Sequence, residues 1–146
     1  MDYRRMRIAI GVLFAAVAVT GCESSGTPSG DALQQQAEAF GEAWYNWRYN
    51  EAAKLVTPES MKWVEFMASN VSQDDLDALA SEDANTDVAV DGIQQEDDTV
   101  AIVRYVVEDY MSPGHIGERP VLIDECEREV RFVKRSGQWL ASLSGV

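Results

Sequence analysis

The chain is poor in basic residues and cysteines, and it has a single histidine. Of 146 residues, 12 are Lys or Arg and 25 are Asp or Glu, so the formal net charge is −13. This balance excludes nucleic acid as a partner, because phosphate binding needs a basic patch that releases counterions. Two cysteines are too few for a disulfide scaffold or a four-cysteine zinc site, and one histidine argues against a transition-metal centre. We therefore expect no metal and no cofactor.

The first 21 residues have the features of an export signal. Three arginines precede an apolar run over residues 8–19, which is shorter than the ~20 residues that a membrane-spanning helix needs. The run ends in Val19-Thr20-Gly21-Cys22, which resembles a bacterial lipobox: an aliphatic residue, two small residues and a cysteine. The resemblance implies cleavage between Gly21 and Cys22 and acylation of Cys22 by diacylglycerol and palmitate-like chains. An ordinary signal peptide or a buried N-terminal helix is the alternative.

An acylated Cys22 would hold the protein on a bacterial membrane, with its domain in the cell envelope outside the cytoplasm. Residues 22–30 are small and polar, with two glycines and a proline, and we expect them to form a flexible tether. The signal peptide over residues 1–21 and this tether leave one folded domain over residues 31–146, a size suited to a single domain.

Apolar spacing after the tether predicts helices. Asp31 resembles an N-cap with Gln34 as its partner, and a first helix of about sixteen residues follows. Apolar residues recur along it every three or four positions and share one face. They are Leu33, Ala37, Phe40, Trp44 and Trp47. Shorter helices are predicted over residues 50–56, from a Thr57-Pro58 start to Val71, and from a Ser72 cap to Leu79.

β-branched and aromatic residues in the second half of the chain predict strands. We expect a strand at Val88 and Val90, a second over residues 99–111, a third long strand or bulged pair over 121–135, and a last strand over 138–143. Polar, Gly- or Pro-containing turns and loops separate them at 94–98, 112–120 and Ser136-Gly137. Helices followed by hairpin-connected strands indicate an α+β fold, with N-terminal helices packed on a curved, mainly antiparallel sheet of three to four strands, or up to six if strands are bulged.

Four packing and turn segments carry a family resemblance. They are Ala37-x-x-Phe40-x-x-Ala43-Trp44, Tyr49 to Ala53, Thr57 to Ser60, and the closing hairpin from Val130 to Trp139. Together they resemble the nuclear-transport-factor-two-like superfamily, whose cone-shaped α+β fold is shared with ketosteroid isomerase and scytalone dehydratase. The chain looks closest to small bacterial lipoproteins of unknown function that carry this domain. The resemblance covers residues 31–146 and implies a cone-like fold, but a fold does not transfer chemistry.

Enzymes of that superfamily place an acid, a Tyr–acid pair or a His–Asp pair inside the cone. The catalytic candidates here are therefore Asp109, Tyr105 and Tyr110, although none stands in a recognisable catalytic spacing. Simple strand roles are the alternative, with the tyrosines as amphipathic strand residues and Arg104 and Glu108 as an ion pair on one face. The candidate ligand-binding side chains are Tyr45, Tyr49, Tyr105 and Arg104, and core packing is the alternative for the aromatic residues.

Three further features are expected to be structural. Cys126 has acidic neighbours that disfavour a thiolate, and we expect it to pack as a small hydrophobe on a strand. His115 lies in a Gly-rich loop, where solvent exposure is favoured over a role as general base. The run Asp74-Asp75-x-Asp77 lacks the spacing and closing Glu of an EF-hand, so we interpret it as a solvated helical face.

These observations favour a membrane-tethered, non-enzymatic binding domain for a small apolar ligand or a protein partner. One alternative is an isomerase- or dehydratase-type enzyme that uses Asp109 with Tyr105 or Tyr110. It requires an acid that points into a closed apolar pocket. A second alternative is an interaction subunit that forms a homodimer through an open sheet face.

Overall fold

The structure, a computed structural model, describes residues 28–81, 86–113 and 118–145. The signal segment 1–21, the cleavage site at Gly21 and Cys22, and His115 lie outside these described residues. Four α-helices precede four strands. The elements are α1 (Pro28–Tyr45), α2 (Tyr49–Ala52), a 3₁₀ turn (Ala53–Leu55), a second 3₁₀ turn (Pro58–Ser60), α3 (Met61–Asn70), α4 (Gln73–Ser81), β1 (Asp87–Gln95), β2 (Val100–Ser112), β3 (Val121–Arg135) and β4 (Gln138–Ser142).

Helix α1 is the main apolar element on the helical side of the molecule. All five residues of the predicted stripe are buried, but only Leu33, Ala37, Phe40 and Trp44 lie within the helix, which confirms the spacing for these four. The predicted start at Asp31 is wrong, because the helix begins at Pro28. Proline is tolerated in the first turn of a helix, since backbone N–H groups there make no hydrogen bond within the helix. Gln34 does not close a capping box but donates its side-chain amide to Glu38 at 2.6 Å. The last three residues of the predicted tether are therefore helical.

The end of α1 is fixed by Trp47, which has a left-handed backbone with φ of 60°. That conformation is rare for a bulky side chain. The helix closes through the Arg48 N–H, which donates to the Ala43 carbonyl at 2.8 Å. The indole N–H of Trp47 donates to the Met111 carbonyl at 2.9 Å, and this long-range bond holds the end of the helix against the end of β2.

The starts of the later helices follow their predicted signals in different ways. At α4, the Asp75 N–H donates to the Ser72 hydroxyl at 3.2 Å and the Ser72 N–H donates to the Asp75 carboxylate at 2.7 Å, which confirms a reciprocal capping box. At Thr57-Pro58 a 3₁₀ turn comes before α3, and the Thr57 hydroxyl bonds the Ser60 hydroxyl at 2.7 Å instead of a backbone N–H.

The four strands form one open antiparallel sheet in the order β1-β2-β3-β4, so each strand pairs with the next one in the chain. The α+β prediction and its strand count are confirmed. β3 is a single strand over its whole length and not a bulged pair, while the one register shift lies in β1 between Val90 and Gly92. The Ser136-Gly137 turn has positive φ at both residues, as expected of a two-residue hairpin turn.

The core lies between α1 and one face of this sheet. The sheet contributes side chains that alternate along each strand, so they share the face turned to α1. Its fully buried members are Ala101, Val103, Tyr105, Val107, Phe132, Trp139 and Ala141. Phe40 of α1 meets Phe132 edge to face, with ring centroids 5.8 Å apart. Cys126 is half-buried against this core, as predicted for a small strand hydrophobe. None of the described helices has the length and apolar character that a membrane span requires.

Candidate functional site

A groove with a volume of about 720 Å³ lies beside the core, between the helices and β3. We call it the α3–β3 groove. Apolar and aromatic side chains from both sides line it, among them Trp44, Tyr45, Phe66, Met67, Tyr110 and Val130. Phe66 is 49% exposed, so a large aromatic surface on α3 is left open to solvent at this groove. Concave apolar openings of this size are typical of ligand sites.

Three tyrosine rings contact one another in a row that runs from the core to the groove. The Tyr45 ring lies edge to face with Tyr105 on one side, at 5.8 Å between centroids, and with Tyr110 on the other, at 5.4 Å. Tyr105 is fully buried, and its hydroxyl donates to the Ala37 carbonyl of α1 at 2.6 Å. The hydroxyl proton of Tyr105 is therefore already used in a hydrogen bond to the backbone. Tyr105 also does not line the groove. Tyr45 and Tyr110 do line it.

Asp109 faces solvent and not the groove. Its backbone is left-handed, with φ of 52°, and it is the one residue of β2 between Val100 and Ser112 without a pairing partner in β3. Its carbonyl instead accepts a hydrogen bond from the Thr86 hydroxyl at 3.1 Å. The Asp109 side chain is exposed, whereas the next residue, Tyr110, is buried against Tyr45. The acid that the isomerase-type hypothesis requires is therefore not inside an apolar pocket.

Arg104 also lies away from the groove. Its guanidinium is 3.6 Å from the Asp91 carboxylate and 4.0 Å from that of Glu129, which are on the neighbouring strands. The predicted Arg104–Glu108 pair is wrong, because residues four apart on a strand are separated by about 13 Å. Opposite charges on adjacent strands can meet, and they do so here. Tyr49, the remaining candidate, is buried against Trp44, with ring centroids 5.5 Å apart, and is a core residue.

Polar and charged residues also line the α3–β3 groove. Arg128 of β3 is exposed at its edge, and among the described residues its guanidinium makes no ion pair. One of its terminal nitrogens donates to the Glu127 carbonyl at 3.0 Å. Its polar lining also includes Asn70, Ser112, Glu129 and Arg131. An apolar wall beside arginine side chains suits a ligand with an apolar body and an acidic group.

Burial raises the pKa of all four tyrosines of the described residues. For Tyr45 and Tyr49 the neighbouring Tyr110 adds to the effect of burial, and for Tyr105 the neighbouring Tyr45 does so. For Tyr110 burial dominates, although Arg128 acts in the opposite direction and lowers its pKa. These phenols therefore remain proton donors at neutral pH and cannot serve as bases there.

We expect an alkaline titration to show this burial directly. Because the folded-state pKa of each phenol is raised, the associated stability is complete below about pH 10, the unfolded-state pKa, and is lost as the pH rises above it. Phenolate absorbance of the described tyrosines should appear only together with the loss of near-ultraviolet circular dichroism. The same protein in denaturant is the reference, with all phenols titrating near pH 10. Phenolate at that pH from those tyrosines in a still-folded protein would contradict the buried cluster.

A second opening, of about 840 Å³, lies between α4 and the start of β3. Two of its acidic side chains are engaged locally, since the Asp75 carboxylate accepts the Ser72 N–H and Asp77 accepts the Gln73 amide at 2.9 Å. Across residues 28–81, 86–113 and 118–145, no group of three or more His, Cys, Asp or Glu is placed to hold a metal ion. Asp74 and Asp77 are exposed, as predicted for a solvated helical face, whereas Asp75 is buried.

The sequence argument missed Phe66, Arg128 and Val130. Phe66 lies in the helix predicted from Thr57-Pro58 to Val71, and an exposed aromatic residue cannot be told from a buried one there by its residue type alone. Arg128 is the one basic residue between Asp124 and Glu129. No signal connects either of them to Tyr110, because strand register and helix packing bring them together.

A scan of the chain against protein-family models finds no match, and a search of curated proteins finds no significant one. The structure establishes an α+β arrangement with the helices before an open antiparallel sheet.

Proposed function

We propose that this protein is a membrane-tethered, non-enzymatic binding domain of the bacterial cell envelope, and that its α3–β3 groove holds the ligand. The observation that carries the proposal is the open, aromatic-lined groove of about 720 Å³, with Phe66 exposed on one wall and Arg128 free at its edge. The lipobox-like Val19-Thr20-Gly21-Cys22 supports the tether. The nuclear-transport-factor-two-like resemblance belongs to the same proposal, since a cone-like fold would offer a concave sheet to a ligand.

Binding is favoured over catalysis by where the titratable groups lie. Asp109 is exposed outside the groove, and Tyr105 is occupied by the Ala37 carbonyl. An isomerase- or dehydratase-type mechanism in this groove would therefore lack Asp109 as its acid and Tyr105 as one of its two candidate tyrosines. Tyr110 remains at the groove wall, where its hydroxyl can orient a ligand by hydrogen bonding.

A dye that is apolar and anionic tests the groove. We expect 1-anilinonaphthalene-8-sulfonate to bind the folded protein with enhanced fluorescence, its rings on the groove wall and its sulfonate near Arg128. Phe66→Ala should weaken the binding about tenfold, because covering a phenyl side chain contributes about 1.5 kcal/mol or more, and 1.4 kcal/mol is tenfold. Leu76→Ala is the matched control, since Leu76 is similarly exposed (44%) but on α4, away from the groove.

The outcome is read from fluorescence titrations of the three proteins at one pH and salt concentration. Both variants remove an exposed apolar side chain, so their free energies of unfolding should stay within about 0.5 kcal/mol of the parent. Equal weakening by both substitutions, or no dye binding to the folded protein, would overturn the proposed groove.

A further inference from the structure

β3 is far longer than its neighbour β4, and the difference leaves a sheet edge open. β3 spans Val121–Arg135, but β4 pairs only with Arg131 to Arg135. On the other side, β2 pairs along β3 as far as Val121. The ten residues from Val121 to Val130 therefore have one strand neighbour and not two in the described part of the chain. We call them the free edge of β3. Unpaired strand edges are templates for a further strand.

The direction of each backbone group on this edge follows from the ladder. The Lys134 N–H donates to the Thr99 carbonyl at 2.7 Å, so even-numbered residues of β3 turn their backbone groups to β2. The pairing with β2 is uninterrupted from Val133 to Glu125, so odd-numbered residues of this stretch turn theirs to the opposite side. On the free edge these residues are Glu125, Glu127 and Glu129. Within the described part of the chain, the Glu127 carbonyl accepts a hydrogen bond there from the Arg128 side chain at 3.0 Å.

The C-terminal tail borders the α3–β3 groove but does not pair with this edge. The Leu143 N–H donates to the Ser60 hydroxyl at 2.8 Å, and the Ala141 carbonyl accepts the Thr57 N–H at 2.9 Å. Both bonds lie on the side of β4 that faces away from β3. The tail after Ser142 therefore does not extend the pairing along the free edge.

The α3–β3 groove lies across the free edge. It is lined by Arg128 and Val130, which share the face of β3 turned to α1, and also by Glu129 and Arg131 of the opposite face. A cavity reaches both faces of a strand only where the strand has no neighbour. An occupant of the groove can therefore use the backbone of the edge as well as the apolar wall.

Charge distinguishes the possible occupants of the edge. The side chains of Glu125, Glu127 and Glu129 all point to the face away from α1 and are exposed. A second copy paired antiparallel along the same edge would set these carboxylates opposite one another, which is unfavourable. A strand with basic side chains on that face would be attracted, and its alternate side chains would enter the groove beside Val130 and Phe66.

We propose that the free edge of β3 binds an extended, basic segment of another polypeptide as an added antiparallel strand. Its Lys or Arg side chains lie against Glu125, Glu127 and Glu129, and its apolar side chains lie in the α3–β3 groove. This mode of recognition takes affinity from main-chain hydrogen bonds and specificity from alternate side chains. The inference rests on the proposed binding function and names the class of its partner.

The test uses the full chain, made in bacteria and purified in detergent, with a synthetic eight-residue peptide of alternating lysine and valine. We expect binding, with hydrogen-exchange protection gained at the amides of Glu125, Glu127 and Glu129. The amides of Cys126 and Arg128 should not change, since they already face β2. In an antiparallel pair the lysines opposite the glutamates turn their own amides to β3. N-methylation of the lysine amides should therefore weaken binding at least tenfold, and N-methylation of the valine amides should not.

A charge-reversal pair completes the test. Glu127→Lys should weaken peptide binding at least fivefold, whereas Glu96→Lys, the same change on an exposed residue of the β1–β2 turn, should alter it less than twofold. Equal loss from both methylated peptides, or protection of the three edge amides before any peptide is added, would overturn the added-strand inference. If the anionic dye binds through Phe66 and the peptide does not, this inference alone is wrong and the proposed groove stands.

Discussion

Gly41→Val should lower the free energy of unfolding by about 3 kcal/mol, at the upper end of what overpacking costs in a closed core. A Cβ atom on Gly41 would lie 2.6 Å from Cε1 of Tyr105 and 2.9 Å from Cγ1 of Val88, far inside normal contact. The tyrosine ring cannot swing aside without losing its 2.6 Å hydrogen bond to the Ala37 carbonyl, one turn earlier on the same helix. The modest gain in helix propensity over glycine, a few tenths of a kcal/mol, does not offset this.

Gly92→Val is the matched control for the clash. A Cβ atom at Gly92 meets nothing within 4 Å, and the residue lies in β1, where valine is favoured over glycine. Urea or thermal unfolding of both variants measures the difference, which for a domain of this size corresponds to a fall of roughly 10 °C in the Tm of Gly41→Val. A stability for Gly41→Val equal to that of the control would mean that α1 does not lie on Tyr105 as described.

Cys22→Ala should abolish lipid attachment completely. The lipobox interpretation makes the Cys22 thiol the acceptor of the diacylglycerol, and without it the chain should retain residues 1–21 and carry no acyl mass. The acyl chains are the only anchor this interpretation supplies, since the net charge of −13 gives no attraction to an anionic membrane. Intact mass and incorporation of labelled palmitate by growing cells are the measurements.

Cys126→Ala is the natural control, because it removes the chain's other cysteine and leaves the lipobox intact. We expect its acylation and membrane retention to match those of the parent, with at most a modest loss of stability from a half-buried strand position. Lipid label on the Cys22→Ala protein, or a parent mass that still includes residues 1–21 with no acyl chains, would defeat the anchor.

Local signals predicted most of the fold. The stripe from Leu33 to Trp44 and the Ser72–Asp75 capping box depend on residues within a few positions of each other, and both appear as expected. The strands also appear near their predicted bounds, because β-branched residues and turn signals are equally local. Asp31 failed as an N-cap because a competing start, Pro28, stood three residues earlier.

The site was less predictable because it depends on register. Alternation along β2 places Tyr105 and Asp109 on one face, but the left-handed backbone at Asp109 breaks that parity and turns Tyr110 to the core side instead. A non-glycine residue is held in this conformation by tertiary contacts, here the hydrogen bond from the Thr86 hydroxyl to the Asp109 carbonyl. No local sequence pattern predicts such a contact. Phe66 and Arg128 likewise become neighbours only through the packing of α3 beside β3.

The meander order of the sheet also sets the sequence of events in folding. Each hairpin joins strands that are adjacent in the chain, so the sheet can form from short loop closures. The aromatic face of α1 finds only part of its contacts locally, where Trp44 meets Tyr49. Tyr45 contacts Tyr105 of β2 and Phe40 contacts Phe132 of β3, so a ribosome makes this helix long before the strands that cover it. We expect α1 to remain partly uncovered until these strands are synthesised, which makes it a segment that a nascent chain needs a chaperone to shield.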